Sequence, residues 1–283
     1  MSDTTVVVTG AASGIGRRAA VRFARAGLHV VVVTRSHERA AGVVADARAA
    51  AGPTGRVTSV PADLADLAQV RAAVASIAAL GAVRGLVNNA AILALARKRP
   101  RVRVDGVEEI FTVNHVAPFV LTTGLRAHLT DDARVVMAGS KGLAAMPWLR
   151  LELDDLDSRQ RWSPVRAYYR SKIAQLAFTA ELRRRRVDAV ALRIPSVRLD
   201  DARLATYPRL LQLAYRPKMW LAADPDTVAA RYVDLVLGPP PAGGHVDERG
   251  RSVSWPNGSA DPTLGRRLWA RTAQLADGDL NDA

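Results

Sequence analysis

Residues 5–17 read TVVVTGAASGIGR, and this stretch decides the fold. Thr5 to Thr9 is a short β-branched run, the composition of a strand buried on both faces. Glycines follow at Gly10, Gly14 and Gly16. Glycine permits backbone conformations that a side chain forbids, so a tight turn is expected there. RRAAVRFARAG, Arg17 to Gly27, then has the pattern of an amphipathic helix with a glycine stop. A glycine turn opening a helix suits a diphosphate, because free N–H groups and the helix dipole favour anions. The spacing Gly10-x3-Gly14-x-Gly16 is neither G-x-G-x-x-G nor a Walker loop. The same glycines would serve a plain tight turn, so the following elements decide between the two.

Working outward, His29 to Arg35 is a second apolar strand, and a helix follows that ends before Gly52 and Pro53. RVTSVPAD, ending at Asp63, reads as a third strand, and LADLAQVRAAVASIAAL as a third helix. Arg84 to Ala90 is the fourth strand. A helix is expected from Gly106 to about Thr130, bent at Pro118. Ala133 to Ser140 is the fifth strand, Ala167 to Arg186 a long helix, and Val187 to Pro195 the sixth strand. The tail begins as loop, adds an edge strand, and closes with the helical pattern TLGRRLWARTAQLAD. This alternation predicts an α/β, Rossmann-like, doubly wound and mostly parallel sheet of about seven strands, with helices on both faces. No internal repeat or dividing linker is visible, so residues 1–283 are expected to form one domain. Two surface excursions interrupt it, at about 143–164 and 196–221.

Composition narrows the function. Hydrophobic residues at 49% and charged residues at 24% are those of a globular chain, not a disordered one. Without cysteine there is no disulfide, thiolate nucleophile or thiolate metal site. The formal charge of +13 raises the question of nucleic acid. Arginine supplies nearly all of it, scattered along helical patterns, and aromatics are only 5%, so no nucleic-acid partner is expected. RKRPRVR, Arg97 to Arg103, is the one dense run and reads as a solvated loop or, alternatively, an anion or partner contact. His29, His37, His115, His128 and His245 have no metal-site spacing, so no metal is expected. The chain starts MSDTT without a basic leader and has no apolar span of transmembrane length. A cytoplasmic protein is the expectation.

RAYYRSKIAQL, Arg166 to Leu176, is the candidate for the chemistry, although taken alone it equally fits an ordinary solvated helix with one cation and a half-buried ring. Tyr168 and Lys172 are four residues apart and share one helical face. A neighbouring ammonium favours the phenolate, which makes a proton-transfer group if a substrate pocket is near. Cofactor choice is read at the end of the second strand, Thr34-Arg35-Ser36. An acidic residue there would bind a ribose diol. Arg35 instead suits an added 2′-phosphate, with Arg17 assisting, so NADP is preferred over NAD; the alternative is that Arg35 is an ordinary surface arginine.

Taken together, these segments resemble the short-chain dehydrogenase/reductase family, classical type, nearest its retinol-dehydrogenase-like branch. TGAASGIG resembles the TGxxxGIG cofactor motif, which implies cofactor contacts from Gly10, Ser13, Gly14, Ile15, Gly16 and Arg17. Asp63-Leu64 is similar to the pair that holds the adenine. Asn88-Asn89-Ala90-Ala91 resembles NNAG, which puts Asn89 and Ala90 at the cofactor. Asn114 in TVNHVAPF resembles the catalytic asparagine, and Ser140 the serine that binds a substrate carbonyl. Tyr168 and Lys172 match YxxxK, and Pro195-Ser196 stands where PG is usual. Ala91 likewise replaces a glycine, and Ala117-Pro118 lies where the branch has a glycine after its Asn-His pair.

The resemblance implies hydride transfer between NADP and a carbonyl or secondary alcohol. In that scheme Ser140 donates to the oxygen and Tyr168 exchanges the proton. Lys172 tunes the phenol and holds ribose hydroxyls, while Asn114 steadies a water in a proton relay. The apolar residues Leu93, Leu95, Met146, Trp148 and Trp162, with the segment Tyr207 to Trp220, suggest a hydrophobic or extended substrate. Alternatively the two tryptophans pin the first excursion. A homodimer or homotetramer is the implied assembly. Two other functions stay open: a non-catalytic NADP-binding sensor or scaffold, and an epimerase or dehydratase.

Overall fold

The valine-rich runs become the centre of a seven-stranded sheet in the order β3-β2-β1-β4-β5-β6-β7. The computed structural model describes residues 4–53, 55–103, 106–156, 160–199, 204–205, 212 and 222–277. The strands are β1 (Thr5–Thr9), β2 (His29–Thr34), β3 (Val57–Pro61), β4 (Val83–Asn88), β5 (Leu129–Ser140), β6 (Ala189–Ile194) and β7 (His245–Asp247). Every neighbouring pair is parallel. The main helices are α1 (Gly14–Arg25), α2 (His37–Ala51), α3 (Leu67–Ala78), α4 (Glu109–Phe111), α5 (Ala117–Gly124) and α6 (Pro164–Arg184). Two more follow β6, α7 (Pro225–Leu237) and α8 (Pro262–Asp277).

Successive strand residues point to opposite faces. Val7, Val31, Leu86, Val135 and Met137 pack against α3, α5, α6 and α8. Their neighbours Val6, Val8, Val30, Val32, Val87 and Val136 pack against α1, α2 and α7. Strands apolar on both sides therefore acquire two helical layers, as their unbroken hydrophobicity requires. The strand order reverses between β1 and β4. Ligands of open parallel sheets bind in the crevice at the carboxyl ends of the strands at such a point.

The helix expected over 106–130 is broken. Its start is delayed because Glu108 is extended and caps α4, its Oε2 accepting from Ile110 N at 2.9 Å and Phe111 N at 3.2 Å. A π turn, Thr112–Val116, separates α4 from α5. Pro118 lies at the start of α5, where a missing N–H is tolerated. The helix stops at Gly124, where a Cβ would meet Val74 Cγ1 at 2.8 Å, so glycine lets α5 approach α3. The fifth strand begins correspondingly early. Leu129 pairs with Val83, and a register shift precedes the pairing of Arg134 with Gly85.

The first excursion, after β5, is anchored by buried Leu149, Leu151, Leu153 and Leu156. Arg170 of α6 adds a buried ion pair, donating to Asp155 Oδ2 at 3.0 Å. The second excursion is closed at its base, where Ala223 N donates to Ser196 O and Arg198 N to Ala223 O. Apart from Gln212, the segment Tyr207 to Trp220 lies outside the described residues.

Candidate active site

The glycine turn between β1 and α1 needs its glycines. Gly10 and Gly14 have φ of 65° and 58°, a region that disfavours side chains. A Cβ on Gly10 would meet Ala90 Cα at 2.8 Å, and one on Gly16 would meet Asn89 Nδ2 and Gly10 O, each at 2.6 Å. Asn89 braces this turn, its Nδ2 donating to Thr9 O at 3.0 Å and Gly10 O at 3.4 Å. Ala90 N donates to Thr9 Oγ1 at 3.0 Å, and Ile15 packs on the core behind the turn.

Helices α2, α3, α4, α6 and α7 are capped by side chains of Ser36, Asp66, Glu108, Ser163 and Asp224. Ser13 makes no side-chain cap on α1, whose first turn contains no acid. Its N–H groups are thus left for an anion, and the turn fits the diphosphate of a dinucleotide.

At the expected adenosine end, Arg35 directly follows β2, is exposed, and has no hydrogen bond or ion pair among the described residues. Arg17 is differently placed. It reaches sideways to α2, where its Nε donates to Asp46 Oδ2 at 2.8 Å. Asp63 Oδ1 accepts from Ala65 N at 3.0 Å, and the Leu64 side chain is buried in the core.

Tyr168 and Lys172, the expected proton-transfer pair, both lie on α6. Lys172 is buried, with Nζ 5.3 Å from the Tyr168 ring centroid. The ammonium donates to Ala138 O of β5 at 2.7 Å and to Gln175 Oε1 at 2.8 Å. Burial pulls its pKa down from 10.5 to about 7. Four residues back along α6, ~6 Å at 1.5 Å per residue, stands Tyr168. Two residues on along β5, ~6.6 Å at about 3.3 Å per residue, stands Ser140. In a crossover the helix runs back against its strands, so these equal steps bring Tyr168 alongside Ser140. Ser140 Oγ accepts from Gly142 N at 3.3 Å, which leaves its O–H for a ligand oxygen.

Asn114 joins the same cluster differently from expectation. Its Oδ1 accepts from Ile92 N at 2.8 Å, and its Nδ2 donates to Ile92 O and Ser171 Oγ, both at 3.0 Å. Ser171 Oγ in turn donates to Tyr168 O at 2.7 Å. Both amide N–H groups are therefore used in clamping the loop after β4 onto α6. The Asn114 carbonyl has no α-helical donor, because the residue four on is Pro118, which has no N–H.

Pro195 directly follows β6 and is half-buried. Neither Ala91 nor Ser196 has a positive φ, so the glycines they replace are not needed for backbone geometry. Leu93, Leu95 and Met146 are partly buried on the loops after β4 and β5. Trp148 is 71% exposed and pins nothing, whereas Trp162 is half-buried. Gln175 was not anticipated, although it lies one turn from Lys172 on the same face. Tyr232 of α7 was not anticipated either, and its hydroxyl donates to Asn89 Oδ1 at 3.4 Å. Among the described residues there is no cluster of three His, Cys, Asp or Glu suited to a metal, and no helix long and apolar enough to cross a membrane.

Residues 4–149 match the short chain dehydrogenase family. Mouse (Mus musculus) polyprenol dehydrogenase is 34% identical over 98% of this chain and 85% of its own length. Human (Homo sapiens) retinol dehydrogenase 14 is 34% identical over 65% of this chain and 58% of its own. A solved short chain dehydrogenase from Burkholderia cenocepacia J2315, in complex with NADP, superposes with a TM-score of 0.66 at 26% identity. That match covers 90% of this chain and 98% of the other. With the glycine turn, the Tyr168–Lys172 pair and the parallel sheet in place, the chain belongs to the short-chain dehydrogenase/reductase family, in its retinol-dehydrogenase-like branch, and is a dehydrogenase/reductase.

Proposed function

We propose that the protein is an NADP-dependent reductase, and in reverse a dehydrogenase, acting on a carbonyl or secondary alcohol of a hydrophobic small molecule. The observation that carries this reading is the buried Lys172 ammonium 5.3 Å from the Tyr168 ring centroid. A cation at that range favours phenolate over phenol. It brings a group with an ordinary pKa of about 10 into use as acid or base. The bound nicotinamide supplies hydride for reduction or takes it in oxidation. In reduction, Ser140 donates its O–H to the carbonyl oxygen and Tyr168 passes its proton there. Lys172 stabilises the phenolate that remains, and a water steadied at Asn114 restores the proton from solvent.

Arg35 supports NADP over NAD, since an exposed guanidinium without a partner at the end of β2 suits a 2′-phosphate. The solved Burkholderia relative holds NADP. Leu93, Leu95 and Met146 support an apolar substrate, as do relatives named for polyprenol and retinol. The direction follows from the NADP reading.

The test is a screen of isoprenoid, aromatic and polyketide-like ketones and secondary alcohols, followed by absorbance of the nicotinamide. Turnover of an apolar member with NADPH is the expected result. Tight NADPH binding with no turnover across the panel would overturn it.

A further inference from the structure

Gln175 stands one turn beyond Lys172 on α6 and is wholly buried. Its Oε1 accepts from Lys172 Nζ at 2.8 Å. An ammonium has three N–H donors. Two are taken here, one by Ala138 O and one by Gln175 Oε1. The amide nitrogen of Gln175 has no hydrogen-bond partner among the described residues. A buried N–H without a partner is costly, and a leucine at this position would avoid that cost. What glutamine adds is its oxygen.

We infer that Gln175 is a positioning residue for proton transfer, its amide oxygen keeping the Lys172 ammonium charged and aiming the remaining N–H at the reacting side of the cleft. The inference rests on Tyr168 and Lys172 being the proton-transfer pair. The groups around the ammonium agree with it. Tyr168 is the titratable group facing it from α6, and β5 presents the Ala138 carbonyl. Burial is the sole cause of its lowered pKa, with no carboxylate contributing. The proton is thus held by two neutral dipoles, and losing one is felt directly.

The test needs no substrate. The chain has four lysines, Lys98, Lys141, Lys172 and Lys218, so a pH titration by NMR on isotopically labelled lysine is tractable on the full chain. The Lys172 resonance is the one absent from Lys172→Met. Gln175→Leu is expected to lower the Lys172 pKa by about one unit, the worth of a hydrogen bond to a charged group. Gln175→Glu is expected to raise it by at least as much, and it decides the matter should the leucine variant fail to fold. A Lys172 pKa unchanged in both variants overturns the inference. The phenolate absorbance missing from Tyr168→Phe reports Tyr168 in the same samples. It is expected to appear at higher pH in Gln175→Leu, because a less charged lysine favours phenolate less. A lysine that shifts while the tyrosine does not would overturn the role in proton transfer. Failure of the parent to turn over any carbonyl would instead sink the proposed function and leave the lysine titration intact.

Discussion

The Lys172 ammonium donates to the carbonyl of Ala138 at 2.7 Å, and this contact seats α6 on β5. Tyr168 and Ser140 lie one helical turn and two strand residues away from it, in the same direction. The proposed proton donor and the proposed carbonyl-binding hydroxyl are thus brought to the same end of two packed elements by backbone spacing.

Replacing Tyr168 by Phe removes the hydroxyl and keeps the ring that packs on Tyr169 at 5.2 Å. The turnover number for carbonyl reduction is expected to fall by about 10²–10⁴-fold, the usual worth of a positioned acid. NADPH affinity is expected to stay near that of the parent. Steady-state rates together with a cofactor fluorescence titration measure both.

The lowered pKa of Lys172 makes stability depend on pH. Between about 7 and 10.5 the unfolded chain binds this proton and the folded cofactor-free chain does not. Burying the ammonium therefore costs stability below about pH 7, and the cost is relieved as pH rises from there towards 10.5. Lys172→Met escapes it. Relative to the parent, the variant is expected to melt at higher temperature at pH 6 than at pH 9.5, whatever its absolute Tm. An equal difference at the two pH values would show that the lysine is not depressed.

Arg35→Ala is expected to weaken NADP binding about tenfold or more, from the loss of a charge-assisted hydrogen bond. NAD binding is expected to change little. Arg17→Ala is a useful contrast, since this guanidinium is held by Asp46. It is expected to affect the two nucleotides alike. Calorimetric titration with each nucleotide checks both variants, and equal weakening of NADP and NAD by Arg35→Ala would remove the basis for the NADP preference.

Arg170 donates to Asp155 Oδ2, Glu152 O and Asp155 O from a buried position. Arg170→Leu strands the buried Asp155 carboxylate and is expected to cost about 3–5 kcal/mol in denaturant unfolding. Arg166→Leu loses a more exposed pair with Glu152 and is expected to cost about 1 kcal/mol or less. Limited proteolysis would then cut the excursion after β5 first in the Arg170 variant.

Reading the sequence located the elements better than their interruptions. The apolar runs around Val6–Val8 and Val30–Val33 were plain because both faces of each strand are buried. The break at residues 112–116 was hidden, because the apolar pattern continues across it and the π turn shifts only the hydrogen bonding. The excursion after β5 was expected at the surface. Its spaced leucines, Leu149, Leu151, Leu153 and Leu156, carried its anchoring, and the exposed Trp148 did not.

Local chemistry was enough for the parallel α/β sheet, the glycine turn before α1 and the shared face of Tyr168 and Lys172. Each of these depends on spacing within a few residues, on a pleat of two or a turn of 3.6. The contacts that tune the site were beyond such spacing. Lys172 meets Ala138 across 34 positions, Asn114 meets Ile92 across 22, and Arg17 meets Asp46 across 29. No periodicity relates residues that far apart. Their partners are selected when helices and strands close on a common core, and buried polar groups must take the acceptors and donors that packing brings within reach.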